Sequence, residues 1–318
     1  MDASGGVMEQ KSRRRCRVLS IQSHVVRGYV GNRCAVPLLQ FHGFEVDFVN
    51  SVQLSTHTHY SEWNGQVLNR ADIDSLYQCL RNLKLDSYTH MLTGYCRDSE
   101  FLRYERGIIA EQKGRHPQFK YICDPVLGDN GKLYVPEELI AIYRDEIIPL
   151  ADVVTPNQFE LGWLTGVEVV DEGSLWKAVK KLHSLGIGNV VVTSTDFAAQ
   201  QKLLRLYSSS YTDGEPKAYQ RYSYTVPLVE GYFVGTGDVF TSLLLVWFEK
   251  TGGVLHESVV NVLKSMQPLL HHTLKEALEE TGGTTPSFEH LELRIVEMYA
   301  AIVNPPDNEE VVVKKLDS

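Results

Sequence analysis

The sequence predicts an α/β chain: a single-domain, three-layer αβα fold around a central, mostly parallel sheet. Three observations carry that expectation. Apolar runs of strand length alternate with amphipathic helical stretches for most of the 318 residues, the pattern left when helices cover both faces of a parallel sheet. The run Val190–Val192 is wholly β-branched, as strands buried on both faces tend to be. No Pro/Gly/Ser linker and no internal repeat interrupts the chain. One domain is therefore expected over residues 17–318, behind a flexible tail at 1–16.

Val18–Ile21 reads as the first strand. A Gly28–Gly31 turn leads into a helix over Asn32–His42, and Glu45–Val49 is the second strand. In Asp72–Leu83, the residues Ile73, Leu76, Leu80 and Leu83 recur at helical spacing, which assigns them to one apolar face. Strand Thr89–Leu92, helix Phe101–Lys113 and strand Tyr121–Cys123 repeat the unit. After Gly131 and Pro136 come a helix over Glu137–Ile147, a strand at Val153–Val154, a short helix from Gln158 and a helix over Ser174–Leu185. From Lys202 to Tyr224 the composition turns polar and rich in Tyr and Ser. That predicts antiparallel edge strands with a variable loop around Thr212–Lys217. Three helices close the chain: Val239–Glu249, His256–Glu279 and Leu291–Ala301.

Composition narrows the function classes. With 43% hydrophobic and 22% charged residues, the chain has the make-up of a globular protein with a sizeable core. Its 31 Lys and Arg against 40 Asp and Glu leave a net charge of −9, which disfavours nucleic acid or an anionic membrane as the main partner. An anionic substrate then needs a local positive field from a helix terminus or a metal ion. The five cysteines (Cys16, Cys34, Cys79, Cys96 and Cys123) are scattered and form no Cys-x-x-Cys pair. Such usage fits reduced thiols in a cytoplasmic protein. The longest apolar run, near Leu243–Phe248, is too short to cross a bilayer. The basic cluster Lys11–Arg17 reads as a solvated edge of the tail, with a targeting address as the alternative.

The most informative stretch is Phe233-Val-Gly-Thr-Gly-Asp238, directly before an apolar run of helix length. Its glycines let backbone approach a ligand closely, and the unpaired N–H groups at the tip of the following helix suit a phosphate. Asp238, beside such an anion site, is placed to accept a proton from an attacking hydroxyl; it reads equally as an ordinary helix cap. In open α/β sheets, ligands bind beyond the carboxyl ends of the strands. That rule picks out Gln22-Ser-His24, Asn50-Ser51, Thr93-Gly-Tyr95, Asp124-Pro125, Thr155-Pro-Asn157, Thr193-Ser-Thr195 and the Gly235–Asp238 turn, all on one rim. Their chemistry suits ATP-dependent phosphoryl transfer, which asks for positioning and charge stabilisation.

The sequence holds no Gly-x-x-x-x-Gly-Lys-[Ser/Thr], which excludes a P-loop, and no Gly-x-Gly-x-x-Gly after a strand. Mg²⁺ prefers oxygen ligands, so Asp124, Asp129 and Glu160 are its candidates. Each has a structural alternative: Asp124-Pro125 as a strand end, Asp129-Asn-Gly131 as a turn, and Asn157 with Glu160 as a capping box. Tyr95 can cover a flat ring or pack at the sheet rim. His24, His57 and His59 read as hydrogen-bonding loop residues and not as zinc ligands.

Taken in order, several motifs resemble those of the pyridoxal kinases of the ribokinase-like superfamily. They are Val18-Leu-Ser-Ile-Gln-Ser-His24 with Arg27-Gly-Tyr-Val-Gly-Asn32, then Asn50-Ser-Val-Gln53, Leu92-Thr-Gly-Tyr95, Cys123-Asp-Pro-Val-Leu-Gly-Asp129, Thr155-Pro-Asn-Gln-Phe-Glu160 and Gly235-Thr-Gly-Asp238. The likeness runs from about Val18 to Ala301. It implies ATP-dependent phosphorylation of the 5′-hydroxyl of pyridoxal, pyridoxine and pyridoxamine. It implies Asp238 as the base, and the N–H groups of Gly235, Thr236 and Gly237 as the anion hole. Ser23 and Thr58 are implied at the polar edges of the ring, with Val30, Val52, Leu54 and Tyr95 lining its faces. Asp124, Thr155 and Glu160 are implied around Mg²⁺ and a monovalent cation, K⁺ or Na⁺, with Asp129 a further metal candidate. Asn157, Thr193, Ser194, Val229, Glu230 and Gly231 are implied along ATP, and Tyr134 on a flap over its phosphates. A homodimer is implied as well.

The chain departs from the family pattern at five places, the first being Thr56 where Asn is usual. His59 stands where glycine is usual, and a positive φ there would strain it modestly and crowd the vitamin lid. Leu54 replaces a common Phe. Gly162 replaces Ala within a helix, at about 1 kcal/mol of propensity, and the Gly128–Tyr134 flap is short. Two rivals share these residues: a kinase for hydroxymethylpyrimidine or a similar heterocycle, and a B6-vitamer or nucleotide binding protein without turnover.

Overall fold

The computed structural model describes residues 16–212 and 218–317. The expected tail, apart from Cys16, lies outside the described residues, as do most of the basic cluster and the Thr212–Lys217 loop beyond Thr212. Strand β1 (Arg17–Val25) is followed by α1 (Asn32–Phe41), β2 (Glu45–Leu54), β3 (Gly65–Val67), α2 (Arg70–Asn82), β4 (His90–Thr93), α3 (Ser99–Arg115) and β5 (Lys120–Cys123). A small hairpin of β6 (Gly128–Asp129) and β7 (Lys132–Leu133) precedes α4 (Glu138–Ile142), β8 (Val153–Val154), α5 (Gln158–Thr165), α6 (Glu172–Ser184) and β9 (Asn189–Thr195). The long strands β10 (Leu203–Thr212) and β11 (Ala218–Pro227) lead to α7 (Thr236–Lys250), α8 (Leu255–Glu280), α9 (Tyr299–Val303) and β12 (Val312–Leu316).

Among the described residues the main sheet has 10 strands in the order β12-β11-β10-β9-β8-β5-β4-β1-β2-β3. From β9 to β2 all neighbours run parallel, while β3 at one edge and β10 to β12 at the other are antiparallel. Parallel neighbours need crossovers, and helices supply them on both faces. Leu19, Phe101, Tyr121 and Leu161 belong to one apolar layer; Val18, Leu38, Ile122 and Val239 belong to the other. Val18 and Leu19, or Tyr121 and Ile122, face opposite layers because strand side chains alternate with period two. Among the described residues, no helix is long and apolar enough to cross a membrane.

Four sequence expectations need correction. Strands β1, β2 and β9 run on past Ser23, Asn50 and Thr193 to Val25, Leu54 and Thr195, so these polar residues lie within the strands and not in the loops beyond. In α2 the buried face is Ile73 and Tyr77, while Leu76 and Leu83 are exposed; the face is centred between residues 73 and 77, which turns Leu76 and Leu83 outward. The helix expected to reach Ile147 ends as α at Ile142 and continues as π and then 3-10 turns through Leu150, where Pro149 withholds an N–H. Leu291–Ala301 is helical only from Tyr299. Its buried apolar members Leu291, Leu293 and Ile295 recur every second residue, the spacing of extended chain.

Candidate active site

Two turns that require glycine bring the site together. Gly235 precedes α7 at φ 85°, and a Cβ there would sit 2.1 Å from the Tyr29 carbonyl oxygen. Gly31 precedes α1 at φ 51°, and a Cβ would sit 2.4 Å from Ser23 Oγ. A side chain at either position meets both a wrong-handed backbone and a filled space. Their closure sets the tip of α7, with its positive dipole end, against the Gly28–Gly31 turn. Asp238, on the first turn of α7, accepts the Gly31 N–H. Loss of water around its carboxyl outweighs that bond and pushes Asp238 up to about 6.

A second carboxylate shares the space. Asp124 follows β5 and is buried; Thr241 Oγ1, one turn into α7, donates to its Oδ2 at 3.1 Å. Thr155 Oγ1 lies 3.1 Å from Thr241 Oγ1. A Cβ on Gly237 would stand 3.7 Å from Asp124 Oδ2, so Gly237 borders this carboxylate. Burial first, and then the charge of Asp238, raise Asp124 to about 7 against the two threonine hydroxyls.

Glu160 is buried on the first turn of α5. It accepts backbone N–H groups from Asn157 at 2.8 Å, Leu127 at 2.9 Å and Gly128 at 3.3 Å, yet burial and the Asp124 charge hold it well above the carboxylate range. Asn157 and Glu160 form the capping box that the spacing suggests, and the same residues reach further. Asn157 Nδ2 donates to the Gly128 carbonyl at 2.8 Å, which ties the β6–β7 hairpin to the helix tip. Asp129 turns into its own loop, accepting the Asn130 N–H at 2.8 Å. Among the described residues, no group of three His, Cys, Asp or Glu side chains converges tightly enough to hold a metal alone. Asp124, Thr155 and Glu160 nonetheless suit a hydrated Mg²⁺. The Asp124 charge raises Glu160 and the Asp238 charge raises Asp124, so the carboxylates crowd negative charge that a cation relieves, and the available donors are oxygens.

On the nucleotide side, the Thr193 N–H donates to the Pro156 carbonyl at 3.0 Å, which sets half-buried Thr193 and Ser194 beside the Thr155–Asn157 turn. Val229 is buried, Glu230 is exposed and paired with Lys202, and exposed Gly231 follows. On the other side, Val30, Val52 and Leu54 join Val25 in a small apolar cluster against which Tyr95 and Val234 pack. All four residues expected to line a ring therefore meet. Ser23 lies half-buried under Gly31, and Thr58 is exposed on the loop after β2.

A family model described as phosphomethylpyrimidine kinase matches residues 100–279. Over nearly its whole length the chain is similar to the pyridoxal kinase of Bos taurus, 43% identical over 309 residues, covering 94% of this chain and 97% of that one. It is 41% identical to the pyridoxal kinase of Arabidopsis thaliana, covering 91% and 92%. A solved structure of Leishmania donovani pyridoxal kinase in complex with ADP and pyridoxamine matches with a TM-score of 0.86 at 34% identity, covering 95% of this chain and 99% of that one. The chain belongs to the pyridoxal kinase family.

Two of its departures from the pyridoxal kinase pattern, at His59 and Gly162, are accommodated locally. His59 is absent from the non-glycine residues with positive φ, which among the described residues are Lys84, Asn130 and Lys202; the expected strain does not arise. A Cβ on Gly162 would come within 3.2 Å of the Val167 carbonyl oxygen, so the glycine lets the chain after α5 fold back closely. Tyr134 is partly exposed, anchored by its N–H to the Leu127 carbonyl at 2.8 Å, and faces His59 edge-on at 6.4 Å.

Sequence reasoning missed Glu292. It is buried beside the Gly28–Gly31 turn, where it accepts the Tyr29 N–H at 3.0 Å and the Tyr60 hydroxyl at 3.0 Å, with His57 Nε2 at 3.4 Å. Burial pushes its carboxyl up, but these three partners win and hold it below the usual value. The available signal was an acid set between buried Leu291 and Leu293; such an acid needs partners.

Proposed function

We propose that this protein transfers the γ-phosphoryl group of ATP to the 5′-hydroxyl of pyridoxal, and likewise of pyridoxine and pyridoxamine. The vitamin ring lies among Val30, Val52, Leu54 and Tyr95, with Ser23 and Thr58 at its polar edges. ATP runs along Asn157, Thr193, Ser194 and Val229–Gly231, with Tyr134 over its phosphates. Asp238 takes the hydroxyl proton, the freed oxygen attacks the γ-phosphorus, and the bond to the bridging oxygen breaks to leave ADP. The Gly235–Gly237 N–H groups hold the moving phosphoryl oxygens. Asp124, Thr155 and Glu160 would hold Mg²⁺ and a monovalent cation, with Asp129 at the periphery. Bound Mg²⁺ supplies neutralisation of phosphate charge. A cytoplasmic homodimer completes the reading, supported by family likeness and by the free thiols of Cys34, Cys79, Cys96 and Cys123.

The observation that carries the reading is Asp238 at the tip of α7, its pKa raised to about 6, where it is still ionised at neutral pH and basic enough to accept a proton. Asp238→Asn should lower kcat by roughly 10²–10⁴ with ATP affinity within a few-fold of the unmodified protein. Activity of the unmodified protein should decline as pH falls through about 6, because the base is then protonated. ADP release measured with pyridoxal checks both; near-normal turnover of the variant removes the base role. The matching model's description favours one second reading, a hydroxymethylpyrimidine kinase. A panel of hydroxymethyl heterocycles with ATP separates the two.

A further inference from the structure

Four segments distant in sequence meet through aromatic rings beside Thr58. His59 lies 5.3 Å from the Tyr232 ring, 5.8 Å from Phe288 and 6.4 Å from Tyr134, centre to centre. Tyr232 packs edge-on against Phe288 at 5.2 Å, and its hydroxyl lies 3.1 Å from His59 Nε2. Each ring stands next to a piece of the site. His59 follows Thr58, Tyr134 follows the β6–β7 hairpin, Tyr232 stands in the turn that leads to Gly235, and Phe288 precedes the anchor Glu292. Burial and then His57 hold the His59 ring below the ordinary imidazole range, so it meets the Tyr232 hydroxyl as a neutral partner.

We propose that His59 is a positioning residue for the transfer. It joins the loop that carries Thr58 to the nucleotide flap and to the turn entering the anion hole, so that binding on the vitamin side and on the nucleotide side reinforce each other. The inference rests on the B6-kinase reading above. Its physical basis is shared ordering: a ligand that fixes one of these loops lowers the cost of fixing the others, and the gain is reciprocal.

Calorimetry of pyridoxal binding to the full chain, with and without a non-hydrolysable ATP analogue, tests it. The analogue should tighten pyridoxal binding about fivefold or more, and pyridoxal should tighten analogue binding by the same factor. His59→Ala and Tyr232→Phe should each bring that factor towards one and raise KM for both substrates, with kcat changed less. His59→Gln, whose amide nitrogen reaches where Nε2 stands, should restore it. Undiminished coupling in both variants, or independent binding of the two ligands to the unmodified chain, overturns the proposal. Pyridoxal-dependent ADP release by the unmodified chain scores the kinase reading separately. Release combined with undiminished coupling removes only the role of His59, whereas no release and no pyridoxal binding remove both.

Discussion

Asp124 and Asp238 sit at about 7 and about 6, above the carboxylate reference of about 4. Between those values the folded chain binds more protons than the unfolded one. Their contribution to stability is therefore fully present below about pH 4 and is lost progressively as pH rises to the folded values of about 6 and about 7. Asp124→Asn removes the cost of charging a buried group while keeping its size. Its Tm at pH 8 should exceed that of the unmodified protein by roughly 2–4 °C, with a smaller difference at pH 5. Its turnover should fall about 100-fold or more. Thermal scans at both pH values check this, and an unchanged or lower Tm at pH 8 means that the charge is already compensated in the fold. Asp238 and Glu160 were legible because each belongs to a short local pattern, a glycine turn and a capping box. Glu292 was not, because its partners Tyr29 and Tyr60 lie 263 and 232 residues away.

At the level of elements, the parallel sheet was legible from alternation alone. The antiparallel pair β10–β11 was legible from the change to Tyr- and Ser-rich chain. What failed were elements whose identity depends on neighbours. Strand β12 carries mostly exposed residues and exists by pairing with β11. The 291–298 segment reads as helix until the alternate spacing of its buried apolar residues is seen. The α5 tip shows one residue serving two elements, since Asn157 caps the helix and holds the β6–β7 hairpin. Asn157→Ala should cost about 1 kcal/mol of stability and, by freeing the hairpin, raise KM for ATP several-fold while pyridoxal KM moves little. Denaturant melts and steady-state kinetics read the two effects separately, and equal rises in both KM values contradict the hairpin role.

Across the whole molecule, the candidate site is assembled from three parts of the chain: the apolar cluster before residue 100, the carboxylates and glycine turn between 124 and 238, and the Glu292 anchor beyond. The matched stretch 100–279 includes the middle part alone, which fits substrate choice being set outside it. Glu292→Ala should leave Tyr29, His57 and Tyr60 without their shared acceptor and raise pyridoxal KM roughly tenfold (about 1.4 kcal/mol of lost positioning). Hydrogen exchange should quicken over residues 55–60 and remain slow in α5; uniform quickening would instead indicate general loosening.

The anchor's position also orders events during synthesis. The clasp on the 57–60 loop lies 232 residues beyond Tyr60, so the loop leaves the ribosome long before the acid that fastens it. The 57–60 loop therefore stays unfastened until the polypeptide has passed Glu292.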